Sequence, residues 1–180
     1  VQDGEIINHF ETKINPRVAV PRHITQLTGI KNNDVRNAPL FEDIAGTLYS
    51  LLSGTIFVAH NVNFDFPFLN AELERAGYPS LSIKAIDTVT LSQILMPTVK
   101  SYRLRDLTSS LSIEHDHPHS AVSDAEATAH LLVDLMKQLR ELPTLTLEKL
   151  VELKLNLPQQ TTMVLEQELE RRVANPLPLD

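Results

Sequence analysis

Two short apolar stretches, residues 55–59 (Thr-Ile-Phe-Val-Ala) and 85–87 (Ala-Ile-Asp), constrain the fold of this chain more than any other feature. The first is continuous and rich in β-branched residues, the pattern of a strand buried on both faces of a parallel sheet. The second reads as another short strand. Each runs into a segment of helical period, residues 64–76 after the first and 88–96 after the second. Strands alternating with helices at this spacing predict a layered α/β domain.

The punctuation of the chain fills in the rest. Asp3-Gly4 is a two-residue hairpin signal, and residues 5–14 read as the strand leaving it. The strand that should enter that turn has only Val1 and Gln2, so at least one strand is expected upstream of Val1. A helical turn over 24–27 closes at Gly29. Leu40, Phe41, Ile44, Leu48, Leu51 and Leu52 then follow at helical spacing, with Pro39 in the first helical position and Gly54 as the stop. Pro67 fits the first turn of the 64–76 helix and Gly77 its cap. Further helices are predicted over 104–111 and 121–139, and Pro143 breaks the last. Beyond it lie two Leu-rich amphipathic segments, 146–155 and 161–173, which divide the chain into a domain over 1–141 and a helical extension over 142–180 leading toward a further domain.

Composition excludes several functions. At 180 residues and 42% apolar, the chain buries one core. It has no cysteine, which removes disulfides, thiolate zinc sites and a Cys nucleophile, and which fits a reducing compartment. No long apolar run or signal segment appears, so a cytoplasmic protein with no membrane partner is expected. The net charge of −7 argues against a broad footprint on duplex DNA. It leaves room for an enzyme that grips one strand end, where metals neutralise phosphate. No phosphate-binding P-loop is present, so ATP-driven work would lie outside this chain.

Two motifs carry chemistry. His60-Asn61-Val62-Asn63-Phe64-Asp65 leads from a strand end through a turn to a carboxylate at the head of a helix, where open α/β sheets place their sites. Read structurally, Asp65 caps its helix and Asn61 closes the turn. His119-Ser120-Ala121-Val122-Ser123-Asp124-Ala125 sets a loop histidine just before a carboxylate in the first turn of the longest helix. Read structurally, it is a capping Asp beside a solvent-facing His. Together they offer carboxylates and a titratable base, the parts that metal-dependent phosphodiester hydrolysis needs.

Other features imitate sites. Asp3-Gly4-Glu5 and Asp124-Ala125-Glu126 have D-x-E spacing, but the first lies in a hairpin turn and the second on a helix, where residues two apart diverge. His115, His117 and His119 alternate densely enough for zinc, yet read more simply as a polar loop with one functional His. Lys100, Tyr102, Arg103 and Arg105 suit phosphate contact with stacking, or a solvated helix start. Of Phe64, Phe66 and Phe68, at least one is expected in the core.

The two motifs, together with residues 24–30 (Ile-Thr-Gln-Leu-Thr-Gly-Ile), Asp34-Val35, Ala38-Pro39 and Asp87-Thr88, resemble those of DnaQ-like (DEDDh) 3′–5′ exonucleases over roughly residues 1–139. The tail resembles the connector of Gram-positive DinG-type helicases. The resemblance implies a ribonuclease H-like mixed sheet flanked by helices, here truncated at its N-terminus and carrying a C-terminal helical extension. It implies release of nucleoside monophosphates from DNA 3′ ends, with RNA left open, by a two-metal Mg²⁺ or Mn²⁺ site. By this resemblance Asp124 and Asp65 hold metal and His119 is the general base. Ile24, Thr25, His60, Asn61 and Phe64 bind substrate, and Asp87 supports the site. The implied partners are single-stranded 3′ ends and a covalently linked helicase domain.

The family's first motif, a D-x-E on its first strand, has no counterpart in these residues. An impaired enzyme is therefore expected from the chain alone. The competing readings are a catalytically inactive nucleic-acid-binding or docking module of a helicase, and a His-rich zinc hydrolase.

Overall fold

The computed structural model describes residues 1–115, 117 and 120–175. Among them the order is α1 (Arg22–Thr28), α2 (Asn32–Val35), α3 (Phe41–Leu52), β1 (Ile56–Ala59), α4 (Val62–Arg75), β2 (Lys84–Asp87), α5 (Thr88–Leu95), α6 (Leu104–Ser110), α7 (Ala121–Glu141), α8 (Thr144–Glu152) and α9 (Thr162–Ala174). The architecture is α/β and mostly helical. β1 and β2 form a small parallel sheet, paired from Ile56↔Lys84 to Ala59↔Asp87.

The expected mixed sheet is not formed among the described residues. Asp3 and Gly4 do adopt the left-handed turn of an Asp-Gly hairpin, at φ 51° and 86°, and Gln2 and Glu5 exchange backbone hydrogen bonds at 2.9 Å. The strand expected over 5–14 goes no further. A strand needs a neighbour to take its polar groups, and no described segment pairs with it beyond that bridge. Ile6, Ile7 and Phe10 stay exposed.

Two apolar clusters sandwich the sheet. Ala85 of β2 joins Ala59, Val62, Phe66 and Leu73 on one side, while its neighbour Ile86 faces Leu91, Leu107, Leu131, Leu135 and Leu139 on the other. That is the period-two alternation of a strand between two layers. On α7, Leu131, Leu135 and Leu139 recur every four residues as one buried stripe. Leu147, Val164 and Leu165 of the tail belong to the same cluster, so α8 and α9 share the core of the preceding helices.

Two proline expectations need correction. The 64–76 helix starts earlier, at Val62, so Pro67 sits inside it rather than in its first turn and deprives the Asn63 carbonyl of its helical donor. Pro39 precedes the N-cap residue Leu40 of α3, and Asp43 instead reaches back to accept from the Leu40 N–H at 2.9 Å.

α9 is fixed to α7 by charge. The Arg172 guanidinium donates to the carbonyls of Leu139 (3.0 Å), Arg140 (3.0 Å) and Leu142 (2.7 Å) at the end of α7, where the helix supplies few donors of its own. Buried Glu168 accepts from Arg171 at 2.7 and 2.8 Å and from Arg172 at 2.9 Å. The hydrogen bonds from Arg171 first, with those from Arg172, hold the Glu168 carboxyl down at about 2.

Candidate active site

β1 ends at Ala59, and the next two residues redirect the chain. Asn61 adopts a left-handed conformation (φ 81°, ψ 57°), which Asn tolerates better than most residues. The turn is held by Asp87 at the end of β2. Its Oδ1 accepts the N–H groups of Asn61 (2.8 Å) and Val62 (3.0 Å), and its Oδ2 accepts the N–H of Thr90 (3.0 Å) and the Thr90 hydroxyl. One buried carboxylate thus satisfies the open amides at the starts of both α4 and α5.

His60 is a brace. Its Nε2 lies 2.8 Å from the Tyr102 carbonyl, which can only accept, so Nε2 carries the proton. Burial pushes the imidazole below its ordinary value, against the Tyr102 hydrogen bond and the charges of Asp87 and Asp65. In the neutral ring, Nδ1 accepts from the Thr88 hydroxyl at 2.9 Å. Both nitrogens are engaged within the protein, which ties the basic loop around Tyr102 to the end of β1.

That scaffold presents Asp65 in the first turn of α4. Asp65 is an exposed residue, and only the partial desolvation of its carboxyl raises it above the ordinary 3.8, opposed by its own backbone N–H and by His60. No cationic side chain pairs with Asp65 among the described residues. Phe64 and Phe68 flank it, 69% and 60% exposed, with parallel rings 6.4 Å apart. Phe66 is the core member, packed on Phe57 at 5.1 Å.

Asp124 occupies the first turn of α7, and α4 and α7 both pack on β1. Its Oδ1 lies 2.7 Å from Nε2 of His115, whose other nitrogen approaches the Thr108 hydroxyl at 3.4 Å. His115 is therefore not the solvated loop residue that its sequence context suggests. His119 lies outside the described residues, and His117 is exposed. Ile24 and Thr25 are half-buried in α1, a helix with no buried residue, and no hydrogen bond joins them to Asp65 or Asp124.

Among the described residues no three His, Cys, Asp or Glu side chains gather closely enough to hold a metal ion. Divalent ions in two-metal sites take most of their ligands from carboxylates, and Asp65 with Asp124 is a short set. These residues alone do not fit a complete two-metal centre. No helix among the described residues is long and apolar enough to cross a membrane.

The sequence defines the class: the chain belongs to the exonuclease family, whose RNase T model matches residues 1–132. Relatives make the class more specific. The chain is 39% identical over 166 residues to the 3′-5′ exonuclease DinG of Bacillus subtilis (strain 168), covering 92% of this chain and 18% of that protein. It is 37% identical over 141 residues to a PolC-type DNA polymerase III of Oceanobacillus iheyensis, covering 78% of this chain and 10% of that protein. The chain thus spans under a fifth of the length of these relatives. In structure it matches exonuclease X in complex with 5′ overhanging duplex DNA at a TM-score of 0.58 and 25% identity, over 76% of this chain and 78% of that one.

Proposed function

We propose that the chain is the exonuclease domain of a 3′–5′ exonuclease that removes nucleoside monophosphates from DNA 3′ ends. The observation that carries this reading is Asp65: a carboxyl in no ion pair among the described residues, presented by a turn held by Asp87, within a chain that matches the exonuclease family. Such a carboxylate suits a ligand for Mg²⁺ or Mn²⁺, which would polarise the phosphate and activate water when bound. Asp124 is the second carboxylate. His119 serves as general base, since an imidazole can take the proton of an attacking water. Asn61 and Phe64 face the substrate with Ile24 and Thr25, and His60 and Asp87 hold the turn.

Residues 142–180 lead toward a further domain, a helicase by the resemblance of the tail. The second reading is a nucleic-acid-binding module without catalysis. The zinc reading has less support, because the His115 ring is turned into Asp124 and Thr108.

The test is end polarity. A form carrying an Asp-x-Glu strand ahead of Val1 should release labelled mononucleotide from a 3′-labelled single strand and shorten a 5′-labelled one stepwise, with both activities lost in EDTA. Tight binding without release would favour the module.

A further inference from the structure

We propose that residues 159–161, between α8 and α9, are a positioning element of the candidate site, with Thr161 as its principal residue. The functional meaning rests on the reading of the Asn61–Asp65 turn as part of that site.

Alternate residues of a strand turn their polar groups to the same edge, and Ala85 and Asp87 share the edge of β2 that the tail covers. The Gln160 N–H donates to the Ala85 carbonyl at 3.0 Å, and its side-chain Oε1 accepts the Ala85 N–H at 2.9 Å. Thr161 Oγ1 accepts the Asp87 N–H at 2.9 Å. Its proton goes to the Pro158 carbonyl at 2.6 Å, which leaves a lone pair for Asp87. Thr161 is fully buried.

Covering a sheet edge would by itself explain Gln160. It does not explain where the neighbours reach. Thr161 fixes the backbone of Asp87, whose carboxylate holds the Asn61 and Val62 amides. Gln159 Nε2 donates to Asn63 Oδ1 at 3.3 Å, a second and direct link to the first turn of α4. The tail therefore contacts Asp87, which holds the turn that presents Asp65, and Asn63 in the first turn of α4. A displacement of α9 is transmitted to that turn through Asp87.

Amide hydrogen exchange on the 180-residue chain tests this without any need for catalysis. Thr161→Val keeps the shape and removes the acceptor. It should speed exchange at Asn61 and Val62 about tenfold relative to Leu131 and Leu135 of α7, the factor that one buried hydrogen bond carries. Thr161→Ser should restore protection. Gln159→Ala, at an exposed position, should give a smaller loss confined to the start of α4. Unchanged exchange at Asn61 and Val62, or a loss equal to that of α7, would overturn the proposal. A digestion assay in which no form of the protein cuts DNA would count against the exonuclease reading and leave the exchange result standing.

Discussion

His115 Nε2 lies 2.7 Å from Asp124 Oδ1, and only 5% of the histidine side chain meets solvent. The carboxylate that opens α7 is thus buttressed from the preceding loop. His115→Ala leaves Asp124 and Thr108 without this partner and should cost about 1–3 kcal/mol in chemical denaturation. His115→Gln, which keeps a side-chain N–H within reach, should recover most of it.

Asp87 collects four donors from three residues while almost wholly buried. Asp87→Ala strands the amides of Asn61, Val62 and Thr90, and a loss on the order of 3 kcal/mol is expected in urea unfolding. Asp87→Asn keeps one acceptor oxygen and should lie between the two. Equal stability of all three proteins would contradict the role given to this residue.

Asp65 should behave in the opposite way. Its carboxyl is raised by desolvation, so the ionised form weakens the fold above the unfolded value of 3.8 and protonation relieves it. Asp65→Asn is expected to raise the melting temperature at neutral pH while removing metal-dependent activity. A lower melting temperature would mean that the carboxylate is a structural cap.

Acid should weaken the fold in two windows. The His60 pKa is depressed by burial, so its contribution is full above pH 6.5 and falls as pH drops through that value toward the lowered one. Glu168, held at about 2 against 4.5, contributes fully above pH 4.5 and loses this between 4.5 and 2, on the order of 3 kcal/mol. A urea-midpoint profile against pH should show both declines, and Glu168→Gln should remove the lower one.

Every helix but α2, and both strands, were legible because each is written locally: Leu131, Leu135 and Leu139 at helical spacing, and 55–59 as one apolar run. Gly29 and Gly77 follow α1 and α4 with positive φ, as expected of caps. Asp65 and Asp124 could be placed in first turns for the same reason. What could not be read is what depends on distant partners. His115 meets Asp124 of α7 on one side and Thr108 of α6 on the other. His60 meets Tyr102 across 42 residues, and Thr161 meets Asp87 across 74. The strand expected over 5–14 failed for a related reason: its pattern is local, but its pairing is not.

The most direct test of the account is EDTA-controlled digestion of a 3′-terminal single-stranded DNA oligonucleotide with Mg²⁺ or Mn²⁺. The 180-residue chain should be compared with a form in which an Asp-x-Glu strand precedes Val1. The account predicts little or no digestion by the first. It predicts EDTA-sensitive laddering from the 3′ end by the second, abolished by Asp65→Asn, Asp124→Asn or His119→Ala. Robust digestion by the 180 residues alone, or laddering that survives loss of Asp65 and Asp124, would contradict it.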